Sequence, residues 1–194
     1  MAQDTRNRMI ETTARLLQHR GYYGTALSDI LAESGAPRGS LYFHFPGGKD
    51  QLVLEATRAA AEIATRELGE TMVTAKSPGR GVRAYAEAAA RIMQETDYTF
   101  GCPVAPVILD ATGGLEELAK ICRETFESWS AILRASFREA GIPEKRAASL
   151  AILVISAIEG ALVMARAYRD CAALLAVGAD LETVVDAALP RRRR

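Results

Sequence analysis

Two histidines and three cysteines leave this 194-residue chain little from which to build a metal centre. Cys102, Cys122 and Cys171 lie far apart, form no CxxC pattern and are odd in number. That argues against a disulfide framework and against a zinc site, and it fits a reducing, cytoplasmic setting. Charge of one sign is not in excess: 24 Lys and Arg balance 24 Asp and Glu. The opening "MAQDTRNRMIETT" has no apolar signal core, so no secretion leader is expected. One long apolar run exists, Ala147–Ala165, near membrane-spanning length. Glu159 lies within it, at a cost of about 2.5–3.5 kcal/mol near a bilayer centre, so insertion into a membrane is not expected. After residue 52 no nucleophile–base pair, phosphate-binding glycine loop or metal spacing is found, which argues against an enzyme and against a bound cofactor.

What is present is helical. Composition is globular, 49% hydrophobic and 25% charged, and no convincing strand alternation occurs, so an all-α fold is predicted. Helices are expected at about residues 5–20, from a Thr25 cap to "ESGA", and from Pro37 to Phe45. A long one should run from Lys49 or Asp50 to about Thr74. "KSPGRG", residues 76–81, reads as the linker or inter-helix loop. Beyond it a helix of about 16 residues is expected over "VRAYAEAAARIMQETD", and a short one from Pro103 inside "YTFGCPVAPVILDATGG". Further helices are expected at Leu115–Ala140, from Pro143 or Glu144 to Tyr168, and at Leu181–Leu189. The helix holding Ala147–Ala165 is apolar on most sides, so it should be covered on most sides, by its own core and by a partner subunit.

The charge is laid out unevenly. Residues 1–50 hold six basic and five acidic side chains; residues 51–190 hold 14 and 19. No acidic residue occurs between Ser34 and Lys49 in "SGAPRGSLYFHFPGGKD". A short helix, a Gly-containing turn and a second short helix form a helix-turn-helix signature, whose second member enters the DNA major groove. A carboxylate there would face phosphates. Gly39 and Ser40 let the backbone approach, and Tyr42, His44 and Lys49 can donate to phosphate oxygens. Two readings of Arg38 stand side by side: bidentate contact with a guanine edge, or a phosphate-only or solvated side chain.

"TALSDILAESGAPRGSLYFHFPGGKDQL" resembles the TetR family of bacterial transcriptional repressors, closely over residues 5–52. Together with "GCPVAPVILD" it looks like the LmrA/YxaF-type branch. The resemblance implies DNA contacts at Thr25, Arg38, Gly39, Ser40, Tyr42, Phe43, His44 and Lys49. Two departures stand out. Pro37 replaces a common Ser or Thr, and the double Gly47–Gly48 lengthens the spacing from His44 to Lys49 by one residue. The implied architecture is a DNA-binding domain (1–52), a dimerising and effector-binding domain (53–190) and a basic tail (191–194). The last two long helices are expected to pair with their twins in a homodimer, through small residues such as Ala151, Ser156, Ala157, Gly160 and Ala161. The implied function is a repressor that binds a palindromic operator and is released by a small apolar or aromatic effector. An activator, or an orphan regulator without effector, is the alternative; an enzyme with a vestigial helix-turn-helix is the third and least favoured reading.

Met93, Phe100, Cys102, Val107, Phe126, Trp129 and Glu159 are candidates for the effector pocket, with ordinary core the competing reading. Glu159 is a polar anchor for ligand or one half of a salt bridge across the dimer. Cys102, ahead of Pro103, is a structural cysteine or a redox sensor. Arg191–Arg194 grip phosphates or lie solvated.

Overall fold

The computed structural model describes residues 2–110 and 115–190. Among them are nine helices and no strand, in line with the all-α expectation. They are α1 (Ala2–Arg20), α2 (Leu27–Ser34), α3 (Arg38–His44), α4 (Gly48–Thr74) and α5 (Pro78–Glu95). They continue as α6 (Ala105–Asp110), α7 (Glu116–Glu139), α8 (Glu144–Tyr168) and α9 (Ala172–Asp186). The arginine tail 191–194 and residues 111–114 of "DATGG" lie outside the described residues. The chain divides into two compact units. One takes Met1–Ala64 and Cys102–Thr125; the other takes Thr65–Gly101 and Phe126–Arg194.

In the first unit, Met9 and Leu16 of α1, Ile30 of α2, Ala36, Leu41 of α3, Phe45 and Leu52 of α4 close one small core. Gly35 ends α2 with φ of 62°, a left-handed cap that a residue with a Cβ adopts only under strain. Its N–H and that of Ala36 return to the Ala32 and Leu31 carbonyls, so the turn into α3 is hydrogen-bonded. The start of α2 differs from expectation. Thr25 does not cap it; Ala26 takes the cap position with no side-chain bond. The Thr25 hydroxyl donates instead to the Gly21 carbonyl at 2.7 Å, satisfying an acceptor that the end of α1 leaves unpaired. Further along, α6 lies against α1, and the Tyr23 backbone N–H donates to the Asp110 carboxylate at 3.3 Å.

In the second unit, α9 packs on α5 and on α8. Asp186, at the end of α9, accepts bonds from the Ser77 hydroxyl (2.9 Å) and the Gly79 N–H (3.0 Å) at the start of α5. The Cys171 thiol, at the other end of α9, donates to the Ala90 carbonyl near the end of α5. The two helices therefore run antiparallel, with a carboxylate against the positive end of α5. Two expectations are corrected here. The "KSPGRG" loop is shorter than read, because Ser77 accepts from the Arg80 N–H and Pro78 opens the helix. The last helix begins nine residues earlier than read, at Ala172. "AALLAVGAD" is too uniformly small and apolar to show a helical period.

Gly178 is instead a contact point. A Cβ there would sit 2.8 Å from the Ala86 Cβ on α5. Gly178→Leu is expected to force α5 and α9 apart and to cost about 1–3 kcal/mol by overpacking. In Gly178→Ala, a helix-propensity gain of about 1 kcal/mol offsets part of the loss. Urea unfolding at one fixed protein concentration measures both; a leucine variant as stable as the parent would contradict the contact.

Helix α8 buries Leu150, Val154, Ile158, Ala161 and Ala165. It leaves Ile152, Leu153, Val163 and Met164 in solvent. By length and composition alone it is apolar enough to cross a membrane.

Candidate nucleic-acid interface

Seven residues make α3 far too short to hold together alone. It persists because Leu41 and Phe45, four residues apart, are fully buried in the core of the first unit. That fixes which face points outward. Arg38, Gly39, Tyr42 and Phe43 are exposed; Ser40 and His44 are half-buried at the edges. Tyr42 is 62% and Phe43 75% exposed, a large apolar area left in water with no gain to folding. The Phe43 and His44 rings meet edge to face at 4.8 Å. Over Gly39 the surface is open, since a Cβ built there meets no atom within 4 Å.

The charges around α3 are arranged to leave its face positive. Helix α1 spends its arginines on carboxylates: Arg6 pairs with Glu55, Arg8 with Asp4, Arg15 with Glu33 and Arg20 with Asp29. The two acidic side chains nearest in sequence before α3, Asp29 and Glu33 of α2, are thereby matched. Arg38 takes part in none of the ion pairs among the described residues.

Lys49, at the start of α4, is half-buried. Its Nζ lies 4.6 Å from the centre of the Tyr22 ring and donates a long bond, 3.5 Å, to the Tyr22 carbonyl. The Tyr22 hydroxyl in turn donates to Asp50 at 2.9 Å. Burial, and then the Asp50 carboxylate, push the Tyr22 phenol up to about 12, so it stays protonated and remains a donor at neutral pH.

The eight residues expected to meet DNA are thus placed in three ways. Six belong to α3, four of them outward. Lys49 stands at the start of α4 against Tyr22. Thr25 is 0% exposed, with its hydroxyl committed to Gly21, so its side chain is not on the exposed face. Tyr22 and Asp50 were not among the expected site residues. No local pattern marks them, since "RGYYGT" reads as a helix stop and Tyr22 lies 28 positions from Asp50.

The effector-pocket candidates fall in both units. Cys102 and Val107 belong to the first and are buried. Met93, Phe100, Phe126, Trp129 and Glu159 belong to the second. Among these, Phe126 and Trp129 meet edge to face at 5.4 Å, and the Trp129 indole N–H donates to the Thr65 hydroxyl at 2.8 Å. Met93 is buried on α5, while Phe100 and Glu159 are half-buried. The Cys102 sulfur accepts from the Ala105 N–H at 3.3 Å, at the first residue of α6. All three cysteines are buried and none is in a disulfide, and burial raises the Cys122 thiol to about 11.

Residues 9–56 match the family model "Bacterial regulatory proteins, tetR family". Residues 78–180 match "Transcriptional regulator LmrA/YxaF-like, C-terminal domain". The HTH-type transcriptional regulator LmrA of Bacillus subtilis is 33% identical over 89% of this chain and 92% of its own length. An uncharacterized HTH-type transcriptional regulator of Mycobacterium tuberculosis is 36% identical over 99% of this chain and 100% of its own. The crystal structure of a TetR transcriptional regulator from Chloroflexus aurantiacus superposes with a TM-score of 0.82 at 27% identity, covering 97% of each chain. These relatives are named as regulators of transcription, not as enzymes. The chain belongs to the TetR family of bacterial transcriptional regulators and carries an LmrA/YxaF-like C-terminal domain.

Proposed function

We propose that this protein is a cytoplasmic repressor that binds a palindromic operator as a homodimer and is released by a small apolar or aromatic molecule. Residues 1–52 read DNA and residues 53–190 dimerise and bind the effector. The observation that carries the DNA-reading half is the α3 face: Arg38, Gly39, Tyr42 and Phe43 are solvent-exposed and free of carboxylates, while Leu41 and Phe45 lock the helix from behind. Tyr42, Ser40, His44 and Lys49 hold phosphates and set the register; Arg38 reads a base edge. Dimerisation is supported by the apolar row left exposed on α8 and by Leu175 and Val184 on α9. Ser156 and Gly160 lie exposed beside that row, whereas Ala151 and Ala161 face the subunit's own core. The closest approach of the two α8 helices is therefore assigned to Ser156 and Gly160.

In the repressing state the two α3 helices stand about 34–36 Å apart, one turn of DNA. An effector tilts α4, a single 27-residue helix shared by both units, and changes that spacing. It acts only through its difference in affinity for the two states.

The test is the affinity for the protein's own upstream DNA against random duplex, across salt concentrations. A complex of two subunits per palindrome, tighter than random by about 10³-fold or more, is expected. Equal, steeply salt-dependent affinities for both duplexes would overturn the reading. In the same assay Arg38→Ala should lose about 1–3 kcal/mol and relax preference at one base position. Equal losses on operator and random DNA would reassign Arg38 to phosphate.

A further inference from the structure

We infer that Tyr22 is the residue that makes Lys49 available to DNA, by keeping it apart from Asp50. This rests on the reading of Lys49 as a phosphate contact. Lys49 and Asp50 are neighbours in the first turn of α4, where side chains one position apart do not face each other, but both reach across to the same residue, Tyr22. One side chain stands between their demands. The Tyr22 hydroxyl donates to the Asp50 carboxylate at 2.9 Å, and the face and carbonyl of the same residue receive the Lys49 ammonium at 4.6 and 3.5 Å. The carboxylate keeps its charge, but the phenol holds it at the hydroxyl end of the ring, out of ion-pair reach of the ammonium on the ring face. The ammonium rests on an aromatic face and a carbonyl, partners weaker than a phosphate in the strength of their charge. It is thus ordered before DNA arrives and surrendered easily when DNA does, which lowers the entropy lost on binding.

The arrangement depends on Gly21 and Tyr22 closing α1 and on Lys49 and Asp50 opening α4. It joins the two ends of the helix-turn-helix segment through functional side chains as well as through the apolar core. Tyr22 is a positioning residue: it acts on DNA only through Lys49.

The experiment uses the full-length protein and a random-sequence duplex, with the salt dependence of binding as the readout. Lys49→Ala should reduce the slope of log affinity against log salt by about 1 per subunit. If it leaves the slope unchanged, the phosphate role of Lys49 fails, and the inference fails with it. If Lys49→Ala lowers the slope, Tyr22→Phe decides the inference. That variant keeps the ring but frees Asp50, and its slope should fall part of the way toward that of Lys49→Ala. The double variant Tyr22→Phe with Asp50→Asn should return to the parent value, because no carboxylate is left to capture the lysine. A parental slope in Tyr22→Phe, or no recovery in the double variant, overturns the inference. Melting temperatures of the three proteins separate a loss of fold from a loss of slope.

Discussion

Gly39→Leu should abolish specific operator binding while leaving the protein folded, with thermal stability equal to or slightly above the parent. The two halves of that result come from different observations. A Cβ at Gly39 meets nothing within 4 Å, so a side chain there starts out into open space. Glycine is about 0.8–1 kcal/mol less favourable than alanine inside a helix and leucine ranks close behind alanine, so a smaller gain of the same sign is expected in the first turn, where Gly39 lies. In the proposed complex the same open space is where the α3 backbone approaches the edge of the groove, and a leucine there would hold the two surfaces apart by several ångströms. Contacts from Arg38, Tyr42 and Lys49 then fail together, so the expected loss is the whole specific margin, about 10³-fold or more. Fluorescence anisotropy with operator and random duplexes, alongside a melting curve, gives both halves. Parental operator affinity in a folded Gly39→Leu protein would remove α3 from the interface.

Charge placed on the exposed row of α8 should have a comparable effect by a different route. Ile152 and Val163 are each 64% exposed in the single chain, so Ile152→Glu with Val163→Glu leaves the fold of one subunit intact. In a two-fold dimer the same patch serves both partners, and each substitution enters the interface twice. Four carboxylates would then have to be desolvated without partners, an expense far beyond a typical dimer's margin. The double variant is expected to sediment as a monomer. Its operator affinity should fall to the non-specific level, because a single head contacts half a site. A persistent dimer in sedimentation would move the interface off α8.

Both effects trace to features that differ in how visible they are before folding. The helix-turn-helix head was legible because its determinants are local. Gly35 is needed at a left-handed turn, Leu41 and Phe45 repeat at helical spacing, and the absence of acids from Ser34 to Lys49 can be read directly along the chain. The same local rules misplaced Thr25. A threonine ahead of a short helix usually caps it, but here the end of α1 supplied a nearer acceptor in the Gly21 carbonyl. They also missed the first half of α9, where a uniformly small, apolar stretch shows no helical period. Gly178 serves a helix 92 positions earlier, at Ala86, and only the antiparallel docking of α5 on α9 gives it a purpose.

The sequence by itself determined that the chain is helical, that its N-terminal fifty residues carry a DNA-reading head, and which face of α3 turns outward. Periodicity, turn chemistry and the sign of charge act within a few residues of one another and need no knowledge of the rest of the chain. Tertiary structure decided which charges are spent and which are kept. Arg15 and Arg20 are paired with α2 carboxylates and Arg38 is not. Lys49 lies on Tyr22, and Tyr22 holds Asp50. These are contacts between side chains about nine to 28 positions apart, and an ion or a ring acts over only a few ångströms. Whether a given lysine is free for phosphate is therefore settled only when the chain has brought its possible partners into reach.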